Sequence, residues 1–201
     1  MRKAKIAVLV SGGGTNLQAI LDAQNSGVIH SGEVAAVISN HADAYALTRA
    51  RKAGVEGLYI SKKELKTQEA FENAIIAALE EREIDLIVLA GFMSILSERF
   101  TSRYDHRIIN IHPSLIPSFC GQGFYGLRVH EAALKKGVKV TGATVHFVNE
   151  IPDGGEIIAQ KAVEVLDGDT PEVLQRRVME EAEWIILPQA VEKISAALME
   201  S

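Results

Sequence analysis

The chain has 201 residues, enough for one α/β domain or two small ones and for a sizeable buried core. A net charge of -5 with 23% charged residues argues against general binding to nucleic acid or to an acidic membrane. The single cysteine, Cys120, excludes an intrachain disulfide and suits a reducing cytoplasm, and no apolar run approaches membrane-spanning length.

In chain order, residues 6–10 form a short apolar run, which predicts a strand covered on both faces. The basic residues before it do not suggest a secretory leader, because the run is short and passes straight into a glycine-rich turn. That turn is Ser11-Gly12-Gly13-Gly14-Thr15-Asn16, followed by Leu17, Ile20 and Leu21 at helical spacing. A strand, a glycine loop and a helix N-terminus together present free N–H groups and the positive end of a helix dipole, which suit a phosphate. No Gly-Lys-Ser/Thr follows, so this is not a Walker loop. It is also a poor dinucleotide fingerprint. Leu17 stands where a third glycine belongs, and the next strand, 34–39, ends in Asn40 rather than an acid. The turn is either a phosphate cradle or a tight turn that binds nothing.

Residues 42–53 read as a helix closed by Gly54, and 58–60 as a brief strand. Ser61 and Glu64 have capping-box spacing ahead of a long surface helix through Phe71, Ile75, Ile76 and Leu79. Residues 86–90 are a second buried strand, leading into the apolar loop 91–96; Ser97 caps a short helix. Residues 108–112 are a third. Its end, Asn110-Ile111-His112-Pro113, puts an amide and an imidazole on one side, because residues two apart in a strand share a face. The amide can donate to a developing oxyanion and the imidazole can move a proton near neutral pH. A polar strand end with a satisfied histidine is the plain alternative.

After His112 the pattern changes. Residues 113–126 read as an ordered loop, 127–135 as a helix ended by Gly137, and 141–148 as an alternating strand with His146 on one face. A wide turn, 149–155, contains Asp153 in Pro-Asp-Gly-Gly, where Asp is common for local reasons alone. A strand returns over 157–165, and 170–199 contains a closing helix. The fold class is therefore α/β: an open, mostly parallel sheet of Rossmann-like type, helices on both faces, and an antiparallel C-terminal extension. A single domain over 1–201 is expected, with a phosphate-binding half (1–112) and a half completing the site (113–201). Ligands of such sheets sit beyond the C-terminal strand ends, which lines up 11–16, 91–96 and Asn110/His112. The histidines show no metal-ligand spacing, so no metal is expected. Cys120 reads as structural or incidental. Of Glu180, Glu181 and Glu183, mostly surface by type, one could reach a ligand amine.

Asn110-Ile111-His112-Pro113-Ser114-Leu115-Ile116-Pro117 strongly resembles the folate-dependent formyltransferases, whose members share an Asn, His and Asp constellation. The matching Asp is Asp153. The loop 11–17, Ser39-Asn40-His41-Ala42-Asp43-Ala44 and Leu89-Ala90-Gly91-Phe92-Met93 resemble the branch whose acceptor is glycinamide ribonucleotide, and the likeness covers essentially the whole chain. The resemblance implies 10-formyltetrahydrofolate as co-substrate, catalysis by Asn110, His112 and Asp153, and His146 in support. It implies Gly14, Thr15 and Asn16 on the acceptor phosphate and Glu183 at its glycinamide end. Around the folate it implies Gln68, Met93, Ser94, Ile95, Leu96 and Asn110, with Asn149, Glu150, Ile151, Pro152 and Asp153. Ser94 and Gln68 stand where some relatives have arginine, and Trp184 where some have histidine. Small-molecule substrates, no nucleic acid or membrane partner, a monomer or homodimer and a cytoplasmic location follow. The resemblance also implies that Asp153 raises the pKa of His112. Alternatives are a deformylase, which uses the same three residues and hydrolyses the same donor, and a noncatalytic nucleotide- or folate-binding module.

Overall fold

A computed structural model describes residues 2–200. Seven strands form one sheet in the order β3-β2-β1-β4-β5-β6-β7. The first five, β1 (Ala4–Val10), β2 (Gly32–Ser39), β3 (Glu56–Tyr59), β4 (Leu86–Leu89) and β5 (Ile108–His112), pair in parallel. The last two, β6 (Val140–Phe147) and β7 (Ile157–Glu164), run antiparallel. The expected fold class holds.

Residues on β1 alternate between two cores, as a strand covered on both faces requires. Ile6, Val8 and Val10 face one core, against α1 (Thr15–Asn25), α7 (Pro171–Val178) and α8 (Trp184–Glu200). Ala7 and Leu9 face the other, against α4 (Gln68–Glu81) and α5 (Glu98–Arg103). Strand order reverses at β1, because β2 lies on one side of it and β4 on the other. The loops after β1 and β4 therefore open a crevice at their C-terminal ends, the usual ligand position in such sheets. They are tied together there: Ser11 N–H donates to Gly91 O at 3.0 Å, and Met93 N–H to Ser11 Oγ at 2.8 Å.

Three elements differ from the sequence reading. The helix expected from 42 is α2 (Tyr45–Lys52), because residues 41–44 make a turn in which Ala44 N–H bonds His41 O. The Ser61 capping box does not form. Ser61 precedes a single turn, α3 (Lys62–Leu65), with no side-chain cap bond, and Lys66 at φ 68 breaks the chain away from helix. The long helix α4 starts anew at Gln68, capped by Thr67 Oγ1 accepting from Ala70 N–H. Its Phe71, Ile75 and Leu79 are buried while Glu69, Asn73, Glu80 and Glu81 face solvent, as the apolar period of a surface helix requires.

The third is the closing helix, which is two helices joined by a π-helical turn at Met179–Glu183. Pro188, inside α8, has no N–H for the carbonyl four residues back and its ring crowds that carbonyl. The widened turn just before accommodates this and buries both Ala182 and Glu183. The helix α6 (Leu127–Lys136) ends as expected at Gly137, whose φ of 77 suits glycine.

Candidate active site

The strand β5 ends at Asn110-Ile111-His112, with Ile111 in the core. Its antiparallel neighbour β6 sets His146 opposite Asn110 and Thr144 opposite His112. Sheet register, not chain proximity, thus delivers the second histidine. His146 Nδ1 lies 2.7 Å from Phe147 O, a carbonyl that can only accept, so this nitrogen carries the proton. His146 Nε2 then accepts from Asn110 Nδ2 at 3.1 Å. That contact fixes the amide orientation and leaves the second Nδ2–H of Asn110 free to donate.

His112 is 4% exposed. Its Nε2 donates to Phe119 O at 2.9 Å, and its Nδ1 lies 3.5 Å from Asp153 Oδ2. Asp153 Oδ1 is 3.5 Å from His146 Nε2, and Gly121 N–H donates to Asp153 Oδ2 at 2.8 Å. One carboxylate therefore reaches both histidines. Asp153 sits at φ 55, a conformation that Asp tolerates better than most residues. A Cβ on Gly155 would run into the Phe147 carbonyl, so the turn holds Asp153 by a close backbone approach that only glycine permits. Thr144 braces the loop after His112: its Oγ1 donates to Ser114 O at 2.6 Å and accepts from Ile116 N–H at 3.1 Å and Gln160 Nε2 at 3.0 Å.

These contacts set the charges. Burial pushes the Asp153 carboxyl up, but a hydrogen bond from the His146 ring in its protonated form, the His112 charge and the Gly121 N–H outweigh it and hold it below its usual range. For His112, burial lowers the pKa and the nearby His146 adds to this. Asp153 and the Phe119 carbonyl pull the other way without reversing the balance. Asp153 thus acts in the expected direction, and desolvation of the nearly enclosed ring is the larger effect.

Asn110, His112, His146 and Asp153 lie on one cavity of about 790 Å³. One end is the loop 12–16. The Gly12 carbonyl accepts from Ala46 N–H and the Gly13 carbonyl from Arg49 Nε, so the loop is tied back onto α2. Gly14 at φ 72 leads into α1 with no side-chain cap, which leaves the first-turn N–H groups available to an anion. Asn16 Nδ2 donates to Glu183 Oε2 at 2.6 Å. Burial pushes the Glu183 carboxyl up to about 7 against that bond, so both its acid and its carboxylate forms are populated near neutral pH.

The other end is apolar. Met93, Ile95 and Ile151 line it and are 55%, 66% and 57% exposed. Ser94, Leu96, Asn149, Glu150 and Pro152 line it too. Ser94 Oγ accepts from Asn40 Nδ2 at 2.9 Å. Gln68 is not on the wall; it donates to Ile95 O at 3.0 Å and to buried Glu72 at 2.6 Å, so it supports the loop from behind. Among the described residues no lysine or arginine lines the cavity. Cys120 Sγ donates to Pro117 O at 3.3 Å, and burial raises its pKa, so it has no sign of activation.

The sequence reading missed the parts that act through backbone atoms, Phe119 O and Gly121 N–H, for which side-chain identity carries no signal. It also passed over Thr144, although the alternation over β6 already put it on the His146 face, and over His130, a buried cavity residue on α6.

Residues 4–191 match the formyl transferase family. The chain is 45% identical over 197 residues to a Bos taurus trifunctional purine biosynthetic protein, adenosine-3, covering 97% of this chain but 19% of that protein. It is 43% identical over 187 residues to a Haemophilus influenzae phosphoribosylglycinamide formyltransferase, covering 93% of this chain and 85% of the other. A crystal structure of glycinamide ribonucleotide transformylase 1 from Symbiobacterium toebii superposes with a TM-score of 0.90 at 46% identity, covering 97% of this chain and 89% of that one. The chain thus spans about a fifth of the trifunctional relative and most of the shorter ones.

Proposed function

The chain belongs to the formyl transferase family, and from that premise we propose that it transfers a formyl group from 10-formyltetrahydrofolate to the amine of glycinamide ribonucleotide in purine synthesis. The observation that carries the reading is the convergence of Asn110, His112 and Asp153 at the middle of one cavity, between an anion-binding loop and an apolar wall.

The acceptor phosphate fits the N–H groups of Gly14, Thr15 and Asn16, and Glu183 fits its glycinamide end. Met93, Ser94, Ile95 and Leu96, with 149–153, fit the folate, and Gln68 contributes by holding the Ile95 carbonyl. The neutral amine attacks the formyl carbon, forming a C–N bond and an oxyanion. The free N–H of Asn110 donates to that oxygen. His112 supports that oxygen by its charge as an imidazolium, with Nε2–H on Phe119 O and Nδ1 beside Asp153, and the developing negative charge and the Asp153 carboxylate favour that form together. The C–N10 bond then breaks. The amine loses one proton and N10 gains one, with His112 or a water beside Asp153 carrying it. No metal is needed in this scheme. The reading makes 1–201 a single formyltransferase domain, monomeric or homodimeric, acting on small molecules in the cytoplasm without nucleic acid or membrane.

The nearest competing reading is hydrolysis of the same donor by the same three residues. Consumption of 10-formyltetrahydrofolate with and without glycinamide ribonucleotide separates them. Turnover that requires the acceptor supports transfer; equal turnover without it overturns the proposal.

A further inference from the structure

Among the described residues, His130 is the one buried titratable group on the cavity wall that the site and scheme above leave idle. It is 0% exposed, and it lines the cavity from the end of the first turn of α6. The helix α6 packs on α7, the element that leads into the turn bearing Glu183, and Gln175 of α7 lines the same wall. His130 also stands near His112, at the reacting centre of the cavity. Among the described residues nothing hydrogen-bonds its Nδ1 or its Nε2, although both atoms are buried. A buried polar atom without a partner destabilises the fold, so two on one ring are unfavourable unless a bound group completes them. The other two buried histidines on this wall have partners: both nitrogens of His146 are matched, and His112 bonds Phe119 O and faces Asp153.

We propose that His130 is a further catalytic residue of the transfer reaction: its ring accepts a hydrogen bond from the attacking amine of the acceptor and aims the amine lone pair at the formyl carbon. The proposal rests on the formyl-transfer reading. The chemistry favours a neutral ring in this place. An ionised carboxylate would hold the amine as an unreactive ammonium, whereas a neutral acceptor binds an N–H and leaves the lone pair for attack. Burial, with the charge of nearby His112 adding to it, lowers the His130 pKa to about 4, so the ring is neutral at physiological pH. No proton moves to His130 in this step. The C–N bond forms with the amine hydrogen still attached, and that proton leaves later by the route already described.

Two variants test this against a structural role. His130→Leu removes both unpartnered nitrogens and keeps an apolar side chain; His130→Gln keeps a donor and an acceptor. The expected result is a kcat reduced at least tenfold in His130→Leu, with Tm equal to or above wild type, because a polar group unmatched in the free protein is gone. The acceptor-independent affinity for the folate donor stays as in wild type, and His130→Gln recovers most of the lost kcat. Unchanged kcat in a folded His130→Leu overturns the proposal. So does a kcat that falls only together with Tm, which is the signature of packing. If His130→Leu does not fold, full activity in His130→Asn and His130→Gln alongside loss in His130→Ala supports it, and full activity in all three overturns it. Wild-type protein run in parallel separates the two levels: no acceptor-dependent turnover in wild type refutes the formyl-transfer reading, whereas wild-type turnover with an unaffected variant refutes the role of His130 alone.

Discussion

Replacing Asp153 by Asn removes one negative charge and little else. The asparagine side chain keeps an oxygen for the Gly121 N–H, which Asp153 now accepts at 2.8 Å, so the loop after Phe119 stays held. What disappears is a charge 3.5 Å from His112 Nδ1, in a pair whose side chains are 5% and 13% exposed. At that distance and an effective dielectric of about 20, a carboxylate and an imidazolium attract by about 5 kcal/mol. Burial already disfavours the imidazolium, so nothing else on the wall replaces this support in full. At about 1.4 kcal/mol per decade, realising even about half of that attraction in the transition state lowers kcat by about sixtyfold. The sign in pH is fixed too. A neighbouring carboxylate raises the His112 pKa, so its removal moves the limb of the kcat profile that reports His112 to lower pH. Steady-state kinetics from pH 5 to about pH 9, with Tm alongside, is the assay. A kcat near wild type, or a His112 limb that stays put or moves up, refutes the electrostatic role given to Asp153.

Four further outcomes are expected. Asn110→Ala and His112→Ala each lose about 10²–10³ in kcat with substrate affinity largely kept, which paired kinetics and equilibrium binding can check. Glu183 has a folded pKa raised from 4.5 to about 7, so its stabilising contribution is complete below about pH 4.5 and lost as pH rises through about 7. Glu183→Gln removes that loss, on the order of 3 kcal/mol, and denaturant titrations at acid and alkaline pH should show a flatter pH dependence than wild type. Gly14→Ala forces a left-handed residue (φ 72) and sets a Cβ 2.7 Å from Ala46 Cβ, so KM for the phosphorylated acceptor should rise while donor binding does not. Gly155→Ala meets the Phe147 carbonyl, and should cost about 1–3 kcal/mol of stability and lower kcat by displacing Asp153; an unchanged kcat would show that the turn does not position the carboxylate.

Much of the site was legible because it follows the period of a strand. The reading of 108–112 as a buried strand ending in a polar pair matches β5 residue for residue, since alternate residues must share a face. The glycine loop was legible for a similar reason: three consecutive glycines between an apolar strand and a helical period leave little but a turn at a helix N-terminus. What was not legible depends on distant partners. Ser61 and Thr67 carry equally good capping side chains, and only packing decides that Thr67 opens the helix that buries Phe71. The π-helical turn was signalled by Pro188, but its effect, burying Glu183 beside Asn16, needs the tertiary fold. The His112 pKa shows the same limit. The sequence names the carboxylate that raises it, whereas the opposing desolvation depends on how completely the loop 113–126 covers the ring.

Direct transfer is tested most plainly by following the carbon itself. The protein is incubated with 10-formyltetrahydrofolate labelled in the formyl carbon and a limiting amount of glycinamide ribonucleotide, and label is counted in the acceptor amide and in free formate. Transfer at the Asn110, His112 and Asp153 centre predicts label in the amide, equal to the acceptor supplied, with little formate. Label released as formate at the same rate with or without acceptor would contradict it.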